Sequence, residues 1–370
     1  MLIKQDARMK SSISAIGTAV PQHKFKQSEA AALISERLQL SPAKKRMLRS
    51  IYKATGIESR HSVISDMGHL SNSRSDISSP DLSTAGRMAL YKEHALPLAI
   101  SAIKQCMDQS DATFADITHV ITVSCTGMYA PGLDIEIVQQ LKLRTNAKRT
   151  AINFMGCYGA FNALKVADDI CRANKGAVVL IVSVELCSLH FQNDEDLDHL
   201  LSNAIFADGA AAALIQPMAE NQKSLSIEAF NCDLLPQTSE DMAWHIGDSG
   251  FDIVLKSYIP EVIESGIAEF MDKLLRQEAI TEVNHYAIHP GGMKILQACE
   301  TALNITKDKN KHAYHVMREY GNMSSATILF VLKELMTHLT VNNHQETIFS
   351  CAFGPGLTLE SMLLKINQPH

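Results

Sequence analysis

Several features that mark particular classes of protein are absent from this 370-residue sequence. No stretch of about 18 apolar residues occurs, so we expect no membrane span. Residues 1–10 are charged and contain no apolar core of the kind that a secretory signal has, so we expect no such signal. No long basic tract offsets the net charge of −6, which gives no support for nucleic-acid binding.

Cysteine is present but follows no binding pattern. The eight cysteines are Cys106, Cys125, Cys157, Cys171, Cys187, Cys232, Cys299 and Cys351. No two of them form Cys-x-x-Cys, and none has the Cys/His spacing of a metal site. Scattered thiols within apolar segments are typical of reduced cysteines, so we expect a cytoplasmic protein without disulfides, metal or bound cofactor.

The composition, with 46% hydrophobic residues, is that of a globular protein large enough for two core-bearing halves. Strand-like and helix-like patterns alternate along the whole chain, which predicts an α/β fold with a mixed or parallel sheet in each half. The polar residues 217–224 are interpreted as the crossing between the halves. We therefore expect one unit at residues 1–222 and a second at 223–370.

The segment 151–183 predicts a strand, a helix and a second strand, with Cys157 at the first strand-to-helix corner. The first N–H groups of a helix are unpaired and its dipole is positive there, which favours a thiolate over a thiol. Gly156 and Gly159 would allow another molecule to come close to the sulfur. Taken alone, such a cysteine is more often a buried structural residue.

Two other polar residues also lie at corners between elements. His289 follows a short strand at 285–288, and Asn322 precedes a helix. Because ligands of α/β proteins bind at the carboxyl ends of strands, the three corners can converge on one pocket. They would supply a thiol, a base and a neutral hydrogen-bond donor. The order Cys, His, Asn also occurs in papain-like proteases, so a cysteine hydrolase is an alternative, although the sequence around Cys157 differs from theirs.

Four sequence blocks resemble the signatures of type III polyketide synthases, the chalcone-synthase-like enzymes. They are Gly156-Cys157-Tyr158-Gly159-Ala160, Ile288-His289-Pro290-Gly291-Gly292, Tyr320-Gly321-Asn322-Met323-Ser324-Ser325-Ala326 and Ala352-Phe353-Gly354-Pro355-Gly356-Leu357-Thr358. The order and spacing also fit, and the likeness extends from Ile13 to Leu364. It implies a thiolase-like fold of two similar halves in five αβαβα layers, and a homodimer.

The resemblance also implies a role for each corner residue. Cys157 would accept an acyl group from a coenzyme A thioester and hold the growing chain. His289 would keep the sulfur charged and, with Asn322, would bind the thioester oxygen while malonyl-CoA loses CO2. An amide and an imidazole N–H can stabilise the resulting enolate without competing as nucleophiles.

Further residues are expected to bind substrate. Phe206 matches an aromatic gatekeeper of the family, and the second gatekeeper position falls on Ile253, which departs from the plant pattern. Trp244, the only tryptophan, lies in a predicted loop and stands where the plant enzymes have glycine. Cys125 lies in a segment similar to bacterial members such as alkylresorcinol synthases. Ser324 and the loop Gly354-Pro355-Gly356 complete the expected lining.

A row of basic residues, here called the cationic stripe, lies earlier in the sequence than all of the residues named above. Lys45, Arg49 and Lys53 recur at i, i+4 and i+8 in a predicted helix opened by Ser41-Pro42. In the family this region binds the phosphates of coenzyme A, although not at identical positions. A solvated helix face is the alternative interpretation.

The product is less constrained than the reaction. Small residues along a side tunnel would admit a fatty acyl-CoA starter, which malonyl-CoA would extend to an alkylresorcinol or an alkylpyrone. A bulky Trp244 could equally shrink the cavity, so a synthase that uses only malonyl-CoA to make a small phenolic is the main rival. Two further candidates are a catalytically silent binding protein and a ketosynthase served by a carrier protein.

Overall fold

The computed structural model describes residues 9–65, 82–219, 222–256 and 258–368. The N-terminal residues 1–8 and most of the surface loop expected at 61–83 lie outside these ranges. The strands are β1 (Ser11–Ala19), β2 (His23–Lys26), β3 (Ser59–Ser62), β4 (His119–Ser124), β5 (Lys148–Asn153), β6 (Val179–Leu186), β7 (Asp208–Pro217), β8 (Ser224–Leu234), β9 (Met242–Gly247), β10 (Gly250–Leu255), β11 (His285–Ile288), β12 (Thr347–Gly354) and β13 (Thr358–Asn367).

The helices alternate with these strands, as the sequence predicts. They are α1 (Gln27–Arg37), α2 (Pro42–Ala54), α3 (Thr84–Met107), α4 (Leu133–Gln140), α5 (Gly159–Ala173), α6 (Leu197–Ile205), α7 (Ile259–Gln277), α8 (Met293–Leu303), α9 (Lys311–Tyr320) and α10 (Thr327–His338). Helix α2 begins as expected, because the Ser41 hydroxyl accepts a hydrogen bond from Lys44 N at 3.4 Å and Pro42 occupies the first turn.

The main sheet contains two similar sets of strands. Its order is β11-β12-β13-β8-β1-β7-β6-β4-β5. Moving outward from the centre, β1, β7, β6 and β4 repeat the relative directions of β8, β13, β12 and β11. The two sets meet edge to edge through only the pairs Ser12↔Ser226 and Ile13↔Leu225. The separate sheets expected for the two halves are therefore joined into one.

Successive side chains of an inner strand point to opposite faces of the sheet, so they pack in different hydrophobic cores. In β6, Leu180 and Val182 pack with the outer helix α3, while Val179 and Ile181 pack on the opposite face with α5. Such alternation is what a strand buried on both faces requires. Layers of helix therefore cover both faces of this half of the sheet.

The central layer consists of α5 and α10. Helix α5 contacts β1, β4–β7 and β13, while α10 contacts β1, β7 and β11, so both helices bridge the two sets of strands. Helix α3 lies outside the first set, and α7 with α8 lies outside the second. The order is thus helix, sheet, helix, sheet, helix, and the expected thiolase-like architecture is confirmed.

One local prediction was wrong: the segment around Trp244 was expected to be a loop, but it forms an antiparallel hairpin of β9 and β10. The strand, helix and strand expected in the segment 151–183 are present as β5, α5 and β6. Strand β4 lies between β5 and β6, and β5 is the exposed edge of the sheet. In the described part of the chain, no helix is both long and apolar enough to cross a bilayer.

Candidate active site

Cys157 lies in a tight turn between β5 and α5. Residues Gly156–Tyr158 form one turn of 3-10 helix, and Gly156 has a φ of +73°. A Cβ at Gly156 would lie 2.3 Å from Cδ of Pro355, and one at Gly354 would lie 2.6 Å from the Tyr158 ring. Only glycine allows these two segments to approach so closely. The Gly354-Pro355-Gly356 loop therefore packs directly on the turn that carries the sulfur.

The Asn322 side chain is oriented toward this sulfur. Its Oδ1 accepts hydrogen bonds from Ser324 N at 2.9 Å and Thr327 Oγ1 at 3.3 Å, which fixes the amide orientation. Its Nδ2 consequently faces Cys157 Sγ at 3.9 Å and donates to Gly291 O at 3.4 Å. Ser324 holds a left-handed φ of +46°, an uncommon conformation of the kind that concentrates at functional sites.

The backbone of Asn322 is paired with the segment that carries Phe206. Asn322 N donates to Ile205 O at 3.0 Å, and Ala207 N donates to Asn322 O at 2.9 Å. The buried guanidinium of Arg60 donates to Phe206 O at 2.5 Å. The Phe206 ring and the Asn322 amide are thus held together on one wall.

His289 extends into the same space from the end of β11. Its N donates to Cys351 O at 2.8 Å, which continues the strand pairing by one residue. The residue is only 1% exposed, and neither ring nitrogen has a hydrogen-bond partner in the described part of the chain. Burial lowers the pKa of His289 to about 3, so the imidazole is neutral at pH 7. One ring nitrogen is then a donor and the other an acceptor, and both are free for a ligand.

The helix corner favours a Cys157 thiolate, but burial acts against it. Burial raises the pKa of Cys157 to about 11, although hydrogen bonds from Ser324 and Asn322 oppose this shift. The effect of burial is the larger of the two. Burial therefore favours a neutral thiol and a neutral imidazole over the charged pair.

Cys157, His289 and Asn322 line one cavity of about 660 Å³, as do seven of the other residues expected to bind substrate. Those seven are Cys125, Phe206, Trp244, Ile253, Ser324, Gly354 and Pro355. Gly356, with a φ of +124°, shapes the loop without lining the cavity. The wall also contains Cys187, Met242, Ala243, Leu255, Ile295 and Phe353, which sequence reasoning did not identify.

The β9–β10 hairpin forms one side of this cavity. Ile253 pairs directly with Trp244 across the hairpin, so the second gatekeeper position and the tryptophan are neighbours. The indole Nε1 donates to Cys125 O at 2.9 Å. Behind it, His190 accepts a hydrogen bond from Phe251 N at 3.1 Å and stacks on the Phe251 ring at 4.0 Å. These contacts fix the indole against the cavity wall.

Glu185 is a fully buried carboxylate beside the cavity that sequence reasoning missed. It accepts hydrogen bonds from Cys125 N at 3.0 Å, from Thr126 Oγ1 at 2.8 Å and from the Ser325 hydroxyl. Burial raises the pKa of Glu185, and these donors act against that shift. Glu185 thus joins β6 to the two segments that contain Cys125 and Ser324.

A second pocket, of about 940 Å³, adjoins the cavity. Leu255, Gly291 and Ile295 line both spaces, so the two are separated by a single layer of side chains and backbone. The last turn of α2 contributes Ile51 and Ala54 to the outer wall, to which Lys256 and Lys294 also belong.

The cationic stripe lies on α2, as predicted, but it does not line either space. Arg49 and Lys53 are exposed and Lys45 is half-buried. Lys53 is the nearest in sequence to the pocket wall, since Ala54 follows it. The stripe therefore stands beside the outer pocket.

Comparison with known families gives two matches that together span most of the chain. Residues 2–218 match the N-terminal domain of the chalcone and stilbene synthases, and residues 226–367 match their C-terminal domain.

Individual relatives agree with these matches. The chain is 30% identical over 362 residues to "Alpha-pyrone synthesis polyketide synthase-like Pks18" of Mycobacterium tuberculosis, covering 96% of this chain and 91% of that protein. It is 28% identical to 1,3,6,8-tetrahydroxynaphthalene synthase of Streptomyces peucetius, covering 96% and 93%. Among solved structures, PKS-I of the brown alga Ectocarpus siliculosus superposes with a TM-score of 0.89 at 28% identity, covering 98% and 100%.

Proposed function

Because this chain belongs to the chalcone and stilbene synthase family of type III polyketide synthases, we propose that Cys157, His289 and Asn322 form its catalytic centre. Enzymes of this family join acyl units from coenzyme A thioesters by decarboxylative condensation. The observation that supports the proposal is geometric. Three side chains from distant parts of the sequence open onto one cavity, with the Asn322 amide directed at the sulfur and both nitrogens of His289 unpaired.

In the loading step, Cys157 Sγ attacks the carbonyl carbon of the starter thioester. A new C–S bond forms, the bond to the coenzyme A sulfur breaks, and the proton passes from Cys157 through His289 to the departing thiolate. Because the resting thiol is neutral, this proton leaves sulfur only as the attack proceeds. The Asn322 amide and the His289 N–H bind the oxygen on which negative charge develops.

In the extension step, malonyl-CoA binds with its thioester oxygen at the same two donors. Loss of CO2 leaves an enolate, whose carbon attacks the acyl group on Cys157. The new C–C bond forms as the C–S bond to Cys157 breaks, so the elongated chain is carried by coenzyme A. The Cys157 thiolate that is released takes up a proton from solvent, because its first proton left with the coenzyme A of the starter. Neutral hydrogen-bond donors suit this step, because a stronger acid would protonate the enolate before its carbon could attack the acyl group.

For the starter we propose a fatty acyl-CoA, extended to an alkylresorcinol or an alkylpyrone. The cavity wall is mostly apolar, with Met242, Leu255, Ile295 and Phe353 among its members. Such a wall stabilises an alkyl chain, whereas a chain that consists only of ketone units needs donors along its length. The name of the mycobacterial relative, which refers to alpha-pyrone synthesis, supports the pyrone outcome.

A synthase that uses malonyl-CoA alone is the second candidate. Trp244 occupies volume in the cavity and is held in place by its hydrogen bond to Cys125 O. The relative named 1,3,6,8-tetrahydroxynaphthalene synthase favours a phenolic product of this kind. The two candidates differ in whether an acyl-CoA other than malonyl-CoA is consumed.

We propose that coenzyme A enters through the outer pocket. Lys294 and Lys256 stand in its wall, and Lys53 projects from the turn of α2 beside it. Lys256 already approaches Asp198 at 3.6 Å, whereas Lys294 has no ion pair with any described residue. Phosphate groups at the mouth of the pocket would therefore meet Lys294 and Lys53, with Arg49 and Lys45 further along α2.

We further propose a cytoplasmic homodimer that needs no cofactor beyond its coenzyme A substrates. Strand β5 is the free edge of the sheet, and five of its six residues, 148–151 and 153, are exposed. An edge strand with unpaired backbone groups is a ready pairing surface for a second copy. We also propose the division into residues 1–222 and 223–370, supported by the repeated strand order on either side.

The test is incubation with labelled malonyl-CoA and a panel of acyl-CoAs from two to sixteen carbons, with mass analysis of products. Labelled alkylated products with the longer starters are the expected result. A labelled phenolic formed without any starter would favour the second candidate. Release of unlabelled free acid would indicate a thioester hydrolase, and no labelled product with any starter would contradict the polyketide assignment.

The role of the sulfur is tested with a matched pair of variants. Cys157→Ala should abolish both the acyl-enzyme adduct and condensation, whereas Cys232→Ala should leave both intact, because Cys232 is exposed and lies outside the cavity. Condensation by Cys157→Ala at the rate of the unmodified protein would exclude the assigned role.

A further inference from the structure

A second group of metal-ligating side chains lies away from the cavity, where α9 packs against α10. His312 comes from α9, and Glu334 and His338 come from α10. One ligand atom from each residue lies within 4.8 Å of the other two. None of these residues lines the cavity or the outer pocket.

His312 is the buried member of this cluster. It is 8% exposed. Its ring faces the His338 ring, with centroids 5.1 Å apart and planes inclined at 45°. The two imidazoles, one from each helix, therefore lie side by side.

His338 is oriented as a metal-binding histidine often is. Its Nδ1 donates to the backbone Glu334 O at 2.8 Å, one helical turn earlier. This bond places the proton on Nδ1 and leaves the lone pair of Nε2 available, which is the common arrangement when a backbone carbonyl orients a metal ligand. The Glu334 carboxylate Oε1 lies 3.7 Å from the Nδ1 of this ring.

We propose that His312, Glu334 and His338 bind one divalent transition-metal ion of the zinc type. Two imidazoles and a carboxylate are ligands that zinc accepts, with water in the fourth position. Ligand atoms around a tetrahedral zinc ion are roughly 3.3 Å apart, given bonds of about 2.0–2.1 Å. The ligand atoms, which lie within 4.8 Å of one another, would therefore have to approach one another by up to about 1.5 Å when the ion binds.

The neighbouring charges limit the site to this set of ligands. His315, three residues along α9, approaches the Glu334 carboxylate through Nε2 at 3.9 Å. Its Nδ1 accepts a hydrogen bond from Arg318 at 3.4 Å, so Nε2 carries the proton and has no lone pair for an ion. Lys311 adjoins His312, and His285 is paired with Glu346 at 2.6 Å. Glu334 is thus the carboxylate available to the ion, and its removal should weaken binding most.

Because of the position of the cluster, a bound ion would link two helices. Helix α9 ends at Tyr320 and α10 begins at Thr327, so residues 321–326, including Asn322, are the connection between the two helices. An ion shared by His312 and by Glu334 and His338 would fasten the helices to each other on the opposite side from the cavity. It would stabilise the connection without touching substrate.

The first test measures binding of Zn²⁺ to the EDTA-treated full chain by competition with a chromophoric chelator. We expect one equivalent to bind, with an affinity at least tenfold lower in Glu334→Gln and in His338→Gln. These residues are partly or fully exposed, so the variants should fold even if His312→Gln does not. His94→Gln, on α3, is the matched control and should bind as the unmodified protein does.

A second measurement separates this cluster from the cavity thiols. Co²⁺ should produce ligand-field bands without a thiolate charge-transfer band, and excess Zn²⁺ should raise the apparent Tm by about 3–5 °C in the unmodified protein but not in Glu334→Gln. Absence of stoichiometric binding would overturn the proposal. So would affinity that is unchanged in Glu334→Gln and His338→Gln, or a cobalt–thiolate band.

Discussion

At the scale of single residues, Cys157 and His289 show how burial and reactivity oppose each other. The apolar cavity raises the pKa of the thiol and lowers the pKa of the imidazole, so neither group is charged before substrate arrives. The same exclusion of water strengthens every interaction with the oxygen of a bound thioester. A thiol that is unreactive at rest is compatible with catalysis if the thiol loses its proton once substrate is bound.

Alkylation of Cys157 by iodoacetamide should therefore depend steeply on pH. Only the thiolate reacts, and with a pKa of about 11 its fraction grows about tenfold per pH unit between pH 6 and pH 10. Mass analysis of the Cys157 peptide over time gives the rate, with Cys157→Ser as the unlabelled control. A rate that is constant above pH 6 would instead indicate a standing thiolate–imidazolium pair.

The three central residues could be predicted because each occupies a corner after or before a regular element, where side chains of α/β folds meet ligands. Their ionisation could not be predicted. The helix-terminus argument for Cys157 is local, whereas the pKa depends on how completely other segments cover the sulfur. Glu185 was missed for a similar reason, since it lies inside a fully buried, mostly apolar strand and its partners come from two distant segments.

Glu185→Gln should lower the free energy of unfolding by about 1–3 kcal/mol. The hydroxyl of Thr126 accepts from Leu186 N at 2.9 Å, so its own proton is directed at Glu185, and Cys125 N is also a donor. An amide NH2 in place of a carboxylate oxygen would face these donors with no acceptor. Urea unfolding measures the change, with the exposed Glu282→Gln as control. Equal stability would mean that Glu185 is protonated in the native protein.

At the scale of elements, the β9–β10 hairpin carries the two side chains that most limit the cavity. Trp244 and Ile253 oppose each other across it, and the turn between its strands comes at Gly247 to Gly250. The sequence did not identify this hairpin, because its strands have little period-2 alternation and both faces are partly buried or paired with other segments. The strongly patterned helix α5 was predicted in the segment 151–183, as observed, whereas β6 continues to Leu186, beyond the end of that segment.

Trp244→Ala should enlarge the cavity and shift the products toward longer chains. It also removes the hydrogen bond to Cys125 O, and we expect a loss of about 2–4 kcal/mol of unfolding free energy, since the indole is only partly buried. Mass spectra of products from one starter give the chain-length distribution. Ile246→Ala is the matched control, because Ile246 lies on the same strand and is 63% exposed. An unchanged distribution in Trp244→Ala would refute the cavity argument.

At the scale of the whole molecule, buried neutral histidines make the fold sensitive to acid. His190 and His289 both have pKa values lowered to about 3 by burial. Between pH 6.5 and pH 3, each of these two histidines is protonated in the unfolded chain but neutral in the native state. The unfolded state therefore holds more protons in this window, so stability falls as the pH is lowered.

His289→Gln should reduce this dependence. Each such histidine contributes up to about 1.4 kcal/mol per pH unit, so the slope of unfolding free energy against pH between pH 6 and pH 4 should be shallower in the variant by up to that amount. Urea unfolding at a series of pH values measures both slopes. Identical slopes would show that the imidazole is protonated in the native state, contrary to its burial.

The repeated order of strands on either side of the β1–β8 junction has a consequence for how this centre arose. It is what a half-length ancestor that first associated with itself would leave after two copies of its gene fused. Corresponding strands β4 and β11 now end at Cys125 and at His289, and corresponding helices α5 and α10 begin just after Cys157 and Ser324. Once fused, each copy could specialise alone, one toward a nucleophile and the other toward a base and an amide. Two identical subunits in a symmetric pair could not have acquired different catalytic side chains in this way.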